Sequence, residues 1–302
     1  MKEKSQVADI DRSIYDIRDE ENDAYRMQSG LTPEIIEKLS KEKNDPVWMQ
    51  QFRLQSLQIY NETPVPNWGP SLEGLDIDNI ATYVRPNTKM QNNWENVPKD
   101  IKDTFDRLGI PQAERKSLAG VGAQYDSELV YHNVRAEVAA EGVVYMDIES
   151  AMKGEYADMV KKYFMKLVTP RDHKFAALHG AVWSGGSFVY VPKGVQLSIP
   201  LQSYFRLNAK GAGQFEHTLI IVDEGASTSS RAAPHPSTMW QTSTQAALSC
   251  LLKRAQSSAT PLSRTGQRIC TTLIPSVHLL KRAALLNGYQ AHSGLMWAAF
   301  IP

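Results

Sequence analysis

Two spacings of apolar residues divide the chain, one typical of helices and the other of strands. Up to about residue 160, apolar positions recur every three or four residues, as Ile101, Phe105 and Leu108 do in "VPKDIKDTFDRLGIP". From residue 181 they alternate, as in "VQLSIPLQSYFRLN". The first spacing marks one face of a helix, and the second marks one face of a strand. We therefore expect a mainly helical region followed by strands.

The segment "GLTPEIIEKLSKEKNDPVWMQQFRLQSLQIYNE" predicts two successive helices. Thr32 followed by Pro33 is a typical start, because a Thr side chain caps free backbone N–H groups and Pro suits the first helical position. Asp45 and Pro46 repeat this arrangement and predict the start of the second helix. Within that helix, three apolar residues share one face and are core candidates: Trp48, Phe52 and Ile59.

The odd-numbered positions from 195 to 207 predict one face of an extended strand, which Pro200 would bend or place at a sheet edge. Six of these positions are apolar: Val195, Leu197, Ile199, Leu201, Phe205 and Leu207. Two flanking segments, "SFVYVPKG" and "QFEHTLIIVDEG", predict further strands with glycines in the turns. Short strands joined by tight turns, without helices between them, are typical of a solenoid or a sandwich.

Acidic residues end at Glu224. All 33 of them lie in residues 1–224, and the last 78 residues contain none. Seven of the 33 basic residues follow Glu224, so residues 1–224 carry a net charge of −7 and residues 225–302 carry +7. The zero net charge of the whole chain therefore combines two unlike regions and indicates nothing about partners.

Targeting signals and cysteine sites are not supported by the sequence. No apolar run approaches the roughly 20 residues that cross a bilayer, and "MKEKSQVADIDRSIYDIRDEE" is too charged for a signal peptide. We expect a cytoplasmic protein that binds neither membrane nor nucleic acid. Cys250 and Cys270 stand 20 residues apart without a CxxC or a His-spaced set, so neither a disulfide nor a zinc site is predicted.

Five segments follow one another with few gaps between about residue 10 and Ser227. They are "GLTPEIIEKLSKEKNDPVWMQQFRL", "NWGPSLEGLDIDNI", "IKDTFDRLGIPQAERKSLAGVGAQYDSELVYHN", "FAALHGAVWSGGSFVYVPKGVQLSIPLQSYFRLN" and "GQFEHTLIIVDEGAS". Together they resemble the SufB family of iron-sulfur cluster assembly scaffolds. The resemblance is specific, because "AERKSLAGVGAQYDSE" and "VWSGGSF" have no general structural reason to occur in one chain.

The resemblance implies an α+β fold. A mainly helical N-terminal region, residues 1–165, would precede the first strands of a right-handed β-helix, residues 166–227. The family also implies a C-terminal helical segment that docks the ATPase SufC, and pairing with the paralogue SufD through the β-helices. The implied role is a non-enzymatic scaffold in a SufB–SufC–SufD complex that handles an iron-sulfur cluster, with SufC hydrolysing ATP.

Residues 228–302 depart from the family pattern. The family usually continues "DEGAS" with a string such as "VHYVEGCTAP", whereas here "TSSRAAPHP" follows. Codons that spell "VHFVEGCTAP" spell "STSSRAAPHP" when read from their second base, and a consistent choice of codons extends an acid-bearing, family-like string to residue 302. We therefore hypothesise that residues 228–302 are an out-of-frame, poorly ordered tail without a family domain, so that the family sequence is truncated.

A shifted frame removes the Cys of the family's "EGC" stretch, its later cysteines and acids, and the helices that dock SufC. Cys250 and Cys270 arise in the other frame, so we predict no catalytic residue, no metal ligand and no known cofactor residue in this chain. Three hypotheses follow. The chain is a scaffold component that is inactive as it stands, a non-functional product of a frameshifted gene or a sequencing error, or a β-solenoid enzyme acting on carbohydrate. The last would need clustered acids, and the strand region offers Glu216, Asp223 and Glu224.

Other candidate motifs have simpler interpretations. His173 and His179 are six residues apart with only Asp172 as a companion, so we predict surface or packing histidines. His217 alternates with apolar neighbours and is predicted to be a satisfied strand residue. "WSGGSF" lacks the Lys and the helix start of a phosphate loop, which favours turn glycines. The basic pieces "LLKRAQSS" and "HLLKRAALL" are interpreted as unselected sequence.

Overall fold

The computed structural model describes residues 22–66, 76, 79–107 and 118–226, together with the backbone of six strands between residues 230 and 299. The described residues form an α+β fold. They contain one 3₁₀ helix, Trp94–Asn96, and seven α-helices: α1 (Pro33–Glu42), α2 (Val47–Glu62), α3 (Lys99–Arg107), α4 (Ala136–Ala140), α5 (Ile148–Lys153), α6 (Ala157–Tyr163) and α7 (Lys174–Val182). Among the described residues, no helix is long and apolar enough to cross a membrane.

Strands occur along the whole described chain. The first nine are β1 (Asp23–Arg26), β2 (Val84–Pro86), β3 (Gly120–Tyr125), β4 (Glu128–Val134), β5 (Val144–Asp147), β6 (Ser187–Val191), β7 (Leu201–Leu207), β8 (Gly213–Gln214) and β9 (His217–Val222). The six that follow are β10 (Ser230–Pro236), β11 (Thr242–Gln245), β12 (Ala247–Leu252), β13 (Cys270–Leu273), β14 (Ser276–Leu279) and β15 (Ala298–Ala299).

The predicted start of α1 is confirmed, whereas that of α2 is corrected in one respect. Thr32 caps α1 by accepting the N–H of Ile35, and Pro33 is the first helical residue. Asp45 does not cap α2, because its carboxylate accepts a 2.7 Å hydrogen bond from Nε of the buried Arg53. The residue that precedes α2 is Pro46, without a side-chain cap. The Asp45 carboxylate, which the sequence predicted to cap α2, instead forms an ion pair with Arg53.

The predicted apolar face of α2 serves two different clusters. Ile59 is buried between α1, α2 and α7. Trp48 and Phe52 are only half-buried and pack against a second cluster, which contains Phe164 and Trp183. The three residues therefore do not form one core stripe. In α3, Ile101 and Phe105 are buried as predicted, and residues 108 and 109 lie outside the described residues.

Strands β3 and β4 lie in the region that the sequence pattern predicted to be mainly helical. Helices still outnumber strands there, and β3 was not predicted, although Val121, Ala123 and Tyr125 alternate along it and lie in one cluster. Its other face carries Gly120 and Gly122. A Cβ on Gly120 would lie 2.5 Å from Cδ1 of Tyr145, and one on Gly122 would lie 2.7 Å from the Tyr145 hydroxyl. The glycines make room for the Tyr145 ring, which fills the interior in their place.

The strand predicted over residues 195–207 begins only at Leu201. Pro200 precedes it, which agrees with the predicted bend, because proline cannot donate to a strand ladder. All seven residues of β7 are buried, on both faces of the strand. The predicted strands in "SFVYVPKG" and "QFEHTLIIVDEG" are present as β6 and β9.

The strands from β6 onward visit three sheets in a repeating order. Sheet 1 has the strand order β15-β14-β12-β9-β6-β5, sheet 2 has the order β10-β7-β3-β4, and sheet 3 has the order β13-β11-β8. Consecutive strands β6 to β12 therefore lie in sheets 1, 2, 3, 1, 2, 3 and 1. Each pairs in parallel with the strand one round earlier, as β9 does with β6 and β10 with β7.

The helices cover the outer faces of sheets 1 and 2. In sheet 1, Val189 and Ile220 face a cluster between the sheets, whereas Phe188 and Leu219 face a cluster that also contains residues of α5 and α6. In sheet 2, Val121 packs on a cluster that includes residues of α3. Alternate residues of one strand thus enter two different cores. Sheets 1 and 2 therefore carry apolar clusters on both faces.

Candidate functional site

The "WSGGSF" segment forms the turn between α7 and β6, as the sequence predicted. Gly185 and Gly186 both have positive φ angles, 70° and 105°. A Cβ on Gly186 would lie 2.1 Å from the carbonyl oxygen of His217, so only glycine fits there. The Gly186 N–H donates to Oε1 of Gln124 at 2.9 Å, and the Gly185 carbonyl accepts the His217 N–H at 3.2 Å.

A buried cluster of charges joins this turn to the N-terminal helices. Nζ of Lys43 lies 2.6 Å from Oε1 of Glu128 and 2.6 Å from Oε1 of Glu149, and the Lys43 side chain is 2% exposed. Glu149 also accepts the Gly185 N–H at 3.0 Å. The Tyr83 hydroxyl donates to Glu128. One lysine thus connects the end of α1, the start of β4, α5 and the glycine turn.

The electrostatics of this cluster favour a full ion pair. Burial lowers the pKa of Lys43, but the carboxylates of Glu149 and Glu128 together outweigh it and hold the pKa above its ordinary value. Burial likewise raises the pKa of Glu149, but Lys43 outweighs it and the pKa is lowered. Burial and the adjacent Glu128 raise the pKa of the Tyr83 hydroxyl, which stays protonated and can donate. The cluster therefore holds charges in place.

Two buried histidines form a pair that the sequence did not predict. Nε2 of His179 in α7 lies 3.1 Å from Nδ1 of His217 in β9. Burial lowers the pKa of His217 to about 3, and burial with the neighbouring His217 and Arg53 lowers that of His179 well below its ordinary value. Both rings are neutral. The ring of Phe164 stands 4.3 Å from that of His217, and Arg53 lies over Trp183. His179 is thus a packing histidine, as predicted. His217 is a strand residue as predicted but is only partly satisfied, because its Nε2, like Nδ1 of His179, has no hydrogen-bond partner among the described residues.

His173 is placed apart from this pair. It precedes α7 as its N-cap, and its Nδ1 accepts the Ala176 N–H at 3.1 Å. The companion that the sequence suggested, Asp172, instead accepts hydrogen bonds from the backbone N–H and hydroxyl of Thr169. His173 and Asp172 thus each stabilise a local turn or helix start, and they do not combine with His179 into a metal site.

Asp126 is a buried residue that accepts hydrogen bonds with both its carboxyl group and its backbone carbonyl. It occupies the β3–β4 turn with a φ of 52°, and its Oδ1 accepts the N–H groups of Asn208 at 2.7 Å and Ala209 at 2.9 Å. Its carbonyl accepts the side-chain amides of Gln124 and Gln214. Burial raises the pKa of Asp126 to about 7, although the two backbone donors lower it. This group anchors the turn to the segment after β7.

The three acids considered for a carbohydrate-acting site have different surroundings. Glu216 is buried, burial raises its pKa to about 8, and neither carboxyl oxygen has a hydrogen-bond partner among the described residues. Asp223 accepts the hydroxyl of Tyr190 and the N–H of Glu224. Glu224 pairs with Lys193 at the surface. A glycosidase places two carboxyl groups on either side of a bond in an accessible cleft, and nothing in these contacts favours such a pair.

The described residues contain no group of three or more His, Cys, Asp or Glu side chains that could hold a metal ion. Cys250 and Cys270 lie on β12 and β13, whose side chains are outside the described residues. What the described geometry offers is a set of buried polar clusters around Lys43, Asp126 and the His179–His217 pair. The acceptors and donors around Lys43 and Asp126 are occupied by one another, as expected of groups that hold elements together.

Comparison with known proteins gives consistent matches. The family model described as "SufBD protein N-terminal region" matches residues 35–203. The iron-sulfur cluster assembly protein SufB of Bacillus subtilis is 50% identical over 221 residues, which cover 73% of this chain and 47% of that protein. An iron-sulfur cluster assembly SufBD family protein of Staphylococcus aureus strain USA300 is 49% identical over 219 residues, covering 72% and 47%. The chain spans about half the length of the curated relatives it matches.

Proposed function

This chain belongs to the SufBD family, and we propose that it derives from a scaffold component of iron-sulfur cluster assembly whose family sequence ends near Ser227. The observation that supports this most directly is the length of the match. It covers 221 residues at 50% identity, close to the 224 residues that precede the loss of acidic side chains. The role proposed for the complete family scaffold is non-enzymatic and cytoplasmic, with an iron-sulfur cluster as the cargo, and we propose that this chain is inactive in that role as it stands.

We infer that the strands from β6 onward are the first turns of a right-handed β-helix. The supporting observation is the repeating order of the three sheets with parallel pairing between successive rounds. On this interpretation residues 1–165 form the mainly helical N-terminal region, and residues 166–227 contribute the first strands. An open β-helix exposes its last round, so the family would need further turns to bury it.

For residues 228–302 we propose an origin in a shifted reading frame. The change of composition at Glu224, the family-like string that a one-base shift restores, and the extent of the match all support this origin. The backbone of β10 and β12 pairs with β7 and β9, which main-chain groups allow for many sequences. We still expect weaker packing there, because these side chains were not selected for the interior.

Partners follow from the same premise. A complete family scaffold would bind a SufC-type ATPase through C-terminal helices and a SufD-type paralogue through its β-helix. We propose that this chain lacks both means of binding, because the sequence after Ser227 is not that of the family. We likewise propose that it holds no cluster: iron-sulfur clusters are bound by thiolates, and residues 1–249 contain no cysteine.

Sequencing of the gene and its transcript around the codon of Ser227 tests the reading-frame proposal. We expect one base more or fewer than in an intact frame, with the family sequence continuing in another frame. An uninterrupted gene without such a frame would contradict the proposal, and the tail would then be genuine. In that case the alternative of a frameshifted or misread gene product is rejected too.

Anaerobic reconstitution with iron and sulfide tests the consequence for function. We expect the purified chain to form no stoichiometric brown species, because its family-like region offers no thiolate. The matched control is the chain with its frame restored after Ser227, which should bind a cluster under the same conditions. A cluster in the chain as it stands, or none in the restored chain, would contradict the proposed role.

A further inference from the structure

Glu216 points into the space between the three sheets. It comes directly before β9, between two residues that face the helices. Phe215 lies in the cluster that contains residues of α1, α2 and α7, and the ring of His217 contacts that of Phe164. Because successive side chains of an extended chain point to opposite faces, Glu216 has the same direction as Ile220, which lies in the cluster between the sheets.

The carboxyl group of Glu216 is enclosed without a hydrogen-bond donor. The residue is 1% exposed, and neither of its carboxyl oxygens has a hydrogen-bond partner among the described residues. Burial raises its pKa to about 8. Most buried polar side chains are hydrogen-bonded, because an unpaired one destabilises the fold. A further donor at this place would therefore stabilise the protein.

The preceding round of strands does not supply this donor. The "WSGGSF" turn of that round pairs with the backbone on either side of Glu216. Its glycines, Gly185 and Gly186, have no side chain, and their N–H groups already donate to side chains of other elements. The Ser184 hydroxyl is not bonded to Glu216 either, because it also lacks a partner among the described residues. Along the stack of strands, this leaves the following round as the source of a donor.

The backbone of the following round is stacked on this corner in one register, in which β11 pairs with β8 and β12 pairs with β9. Two residue pairs fix this register: Thr244 with Gln214, and Ala247 with His217. Both pairs are 30 positions apart, so Glu216 corresponds to position 246. Equivalent side chains of stacked parallel strands point to the same face. Position 246 is an alanine, whose side chain cannot donate a hydrogen bond.

We propose that Glu216 is a recognition site for the following round, which sets the register of that round by binding a lysine, arginine or amide side chain at position 246. The inference rests on the β-helix proposed above. Main-chain groups alone allow parallel strands to pair in several registers, and a slip of one residue turns every side chain to the opposite face. A buried polar residue selects one register, because every other leaves it unpaired. Ala246 provides no donor, so the tail of this chain lacks that signal.

A double-mutant cycle tests the pairing at this site. The four proteins are the full chain, Ala246→Lys, Glu216→Gln and the combination of both. We expect Ala246→Lys alone to raise the folding equilibrium constant at least fivefold in urea unfolding at pH 7, because the new cation meets a buried acceptor. In the Glu216→Gln background the same lysine should lower that constant, since it then has no counter-charge. The matched control is Ala247→Lys, whose effect should be equal in both backgrounds.

Cysteine cross-linking tests the register itself, in the full chain with Cys250 and Cys270 replaced by serine. Glu216→Cys with Ala246→Cys should oxidise to an intramolecular disulfide, because in-register neighbours on adjacent strands lie about 5 Å apart, within the Cα separation that a disulfide requires. Glu216→Cys with Ala247→Cys should stay reduced, because its two side chains point to opposite faces. Mass spectrometry of non-reduced peptides distinguishes the two.

The two experiments separate this inference from the β-helix on which it rests. A disulfide at position 246 together with a lysine that shows no coupling to Glu216 would overturn the recognition site and leave the β-helix in place. A disulfide only at position 247, or none at either position, would overturn the stacking of the following round and with it the site.

Discussion

Nε2 of His179 lies 3.1 Å from Nδ1 of His217. The two residues are 38 positions apart in the chain, and their hydrogen bond joins α7 to β9 inside the protein. Both rings are buried, and a proton added to either would place a charge away from water. The pair therefore works as a neutral contact between α7 and β9. It also provides a measurable response to acid.

We expect the contribution of His217 to the free energy of unfolding to fall as the pH decreases from about 6.5 towards 3. The folded pKa of His217, about 3, is below the ordinary value of 6.5, so the unfolded chain binds more protons in this window. Each buried histidine with such a lowered pKa then reduces the free energy of unfolding by on the order of 1.4 kcal/mol per pH unit. Urea unfolding should show that the stability of His217→Gln rises relative to that of the parent as the pH falls through this window. The control His173→Asn, which keeps a capping acceptor, should keep the pH profile of the parent in this window.

For the contribution of Asp126 to stability we expect the opposite dependence on pH. Its folded pKa of about 7 is above the ordinary 3.8, so its contribution is fully present below pH 3.8 and is lost as the pH rises through 7. Asp126→Asn keeps an acceptor for the N–H groups of Asn208 and Ala209 without the charge. We expect this variant to gain stability relative to the parent between pH 5 and pH 8. An unchanged difference across that range would refute the buried neutral carboxyl.

Replacing Lys43 by Met should destabilise the protein by about 3–5 kcal/mol, because Glu128 and Glu149 would be left close together without their cation. Lys41→Met, at an exposed position of the same helix, should change stability by less than about 0.5 kcal/mol. Chemical unfolding monitored by tryptophan fluorescence compares the two. Equal effects would mean that the Lys43 cluster adds nothing beyond an ordinary surface charge.

Substitutions at two glycines distinguish the cost of steric overlap from the cost of backbone strain. Gly186 and Gly194 both have positive φ angles, 105° and 80°. An added Cβ would meet the His217 backbone at Gly186 but nothing within 4 Å at Gly194. Gly194→Ala should therefore cost about 1 kcal/mol, the strain alone, whereas Gly186→Ala should prevent folding or cost several times more. Thermal unfolding of the two variants makes the comparison.

Local sequence signals predicted the start of α1, the strands β6 and β9, and the glycine turn, because each depends on neighbouring residues. The strand β3 was missed although Val121, Ala123 and Tyr125 alternate, and the fit of its glycines to the Tyr145 ring of another strand could not be predicted. Nor could the sequence predict that Asp45 would bind Arg53 instead of capping α2, or that His179 would meet His217. These features depend on contacts between residues far apart in the chain, which spacing alone does not encode.

The contacts of Lys43 also determine whether the chain can be cut into separately folding fragments. The two carboxylate partners of Lys43 come from β4 and α5, and the turn that leads into β6 is held by one of them. A cut at residue 165 would therefore separate Gly185 from Glu149. It would also remove α7, against which α1 and α2 pack. We expect neither fragment to fold when it is expressed without the other. Proteolytic cleavage near residue 165 should likewise release no folded fragment. We therefore expect the helical region and the first strands to unfold as one cooperative unit.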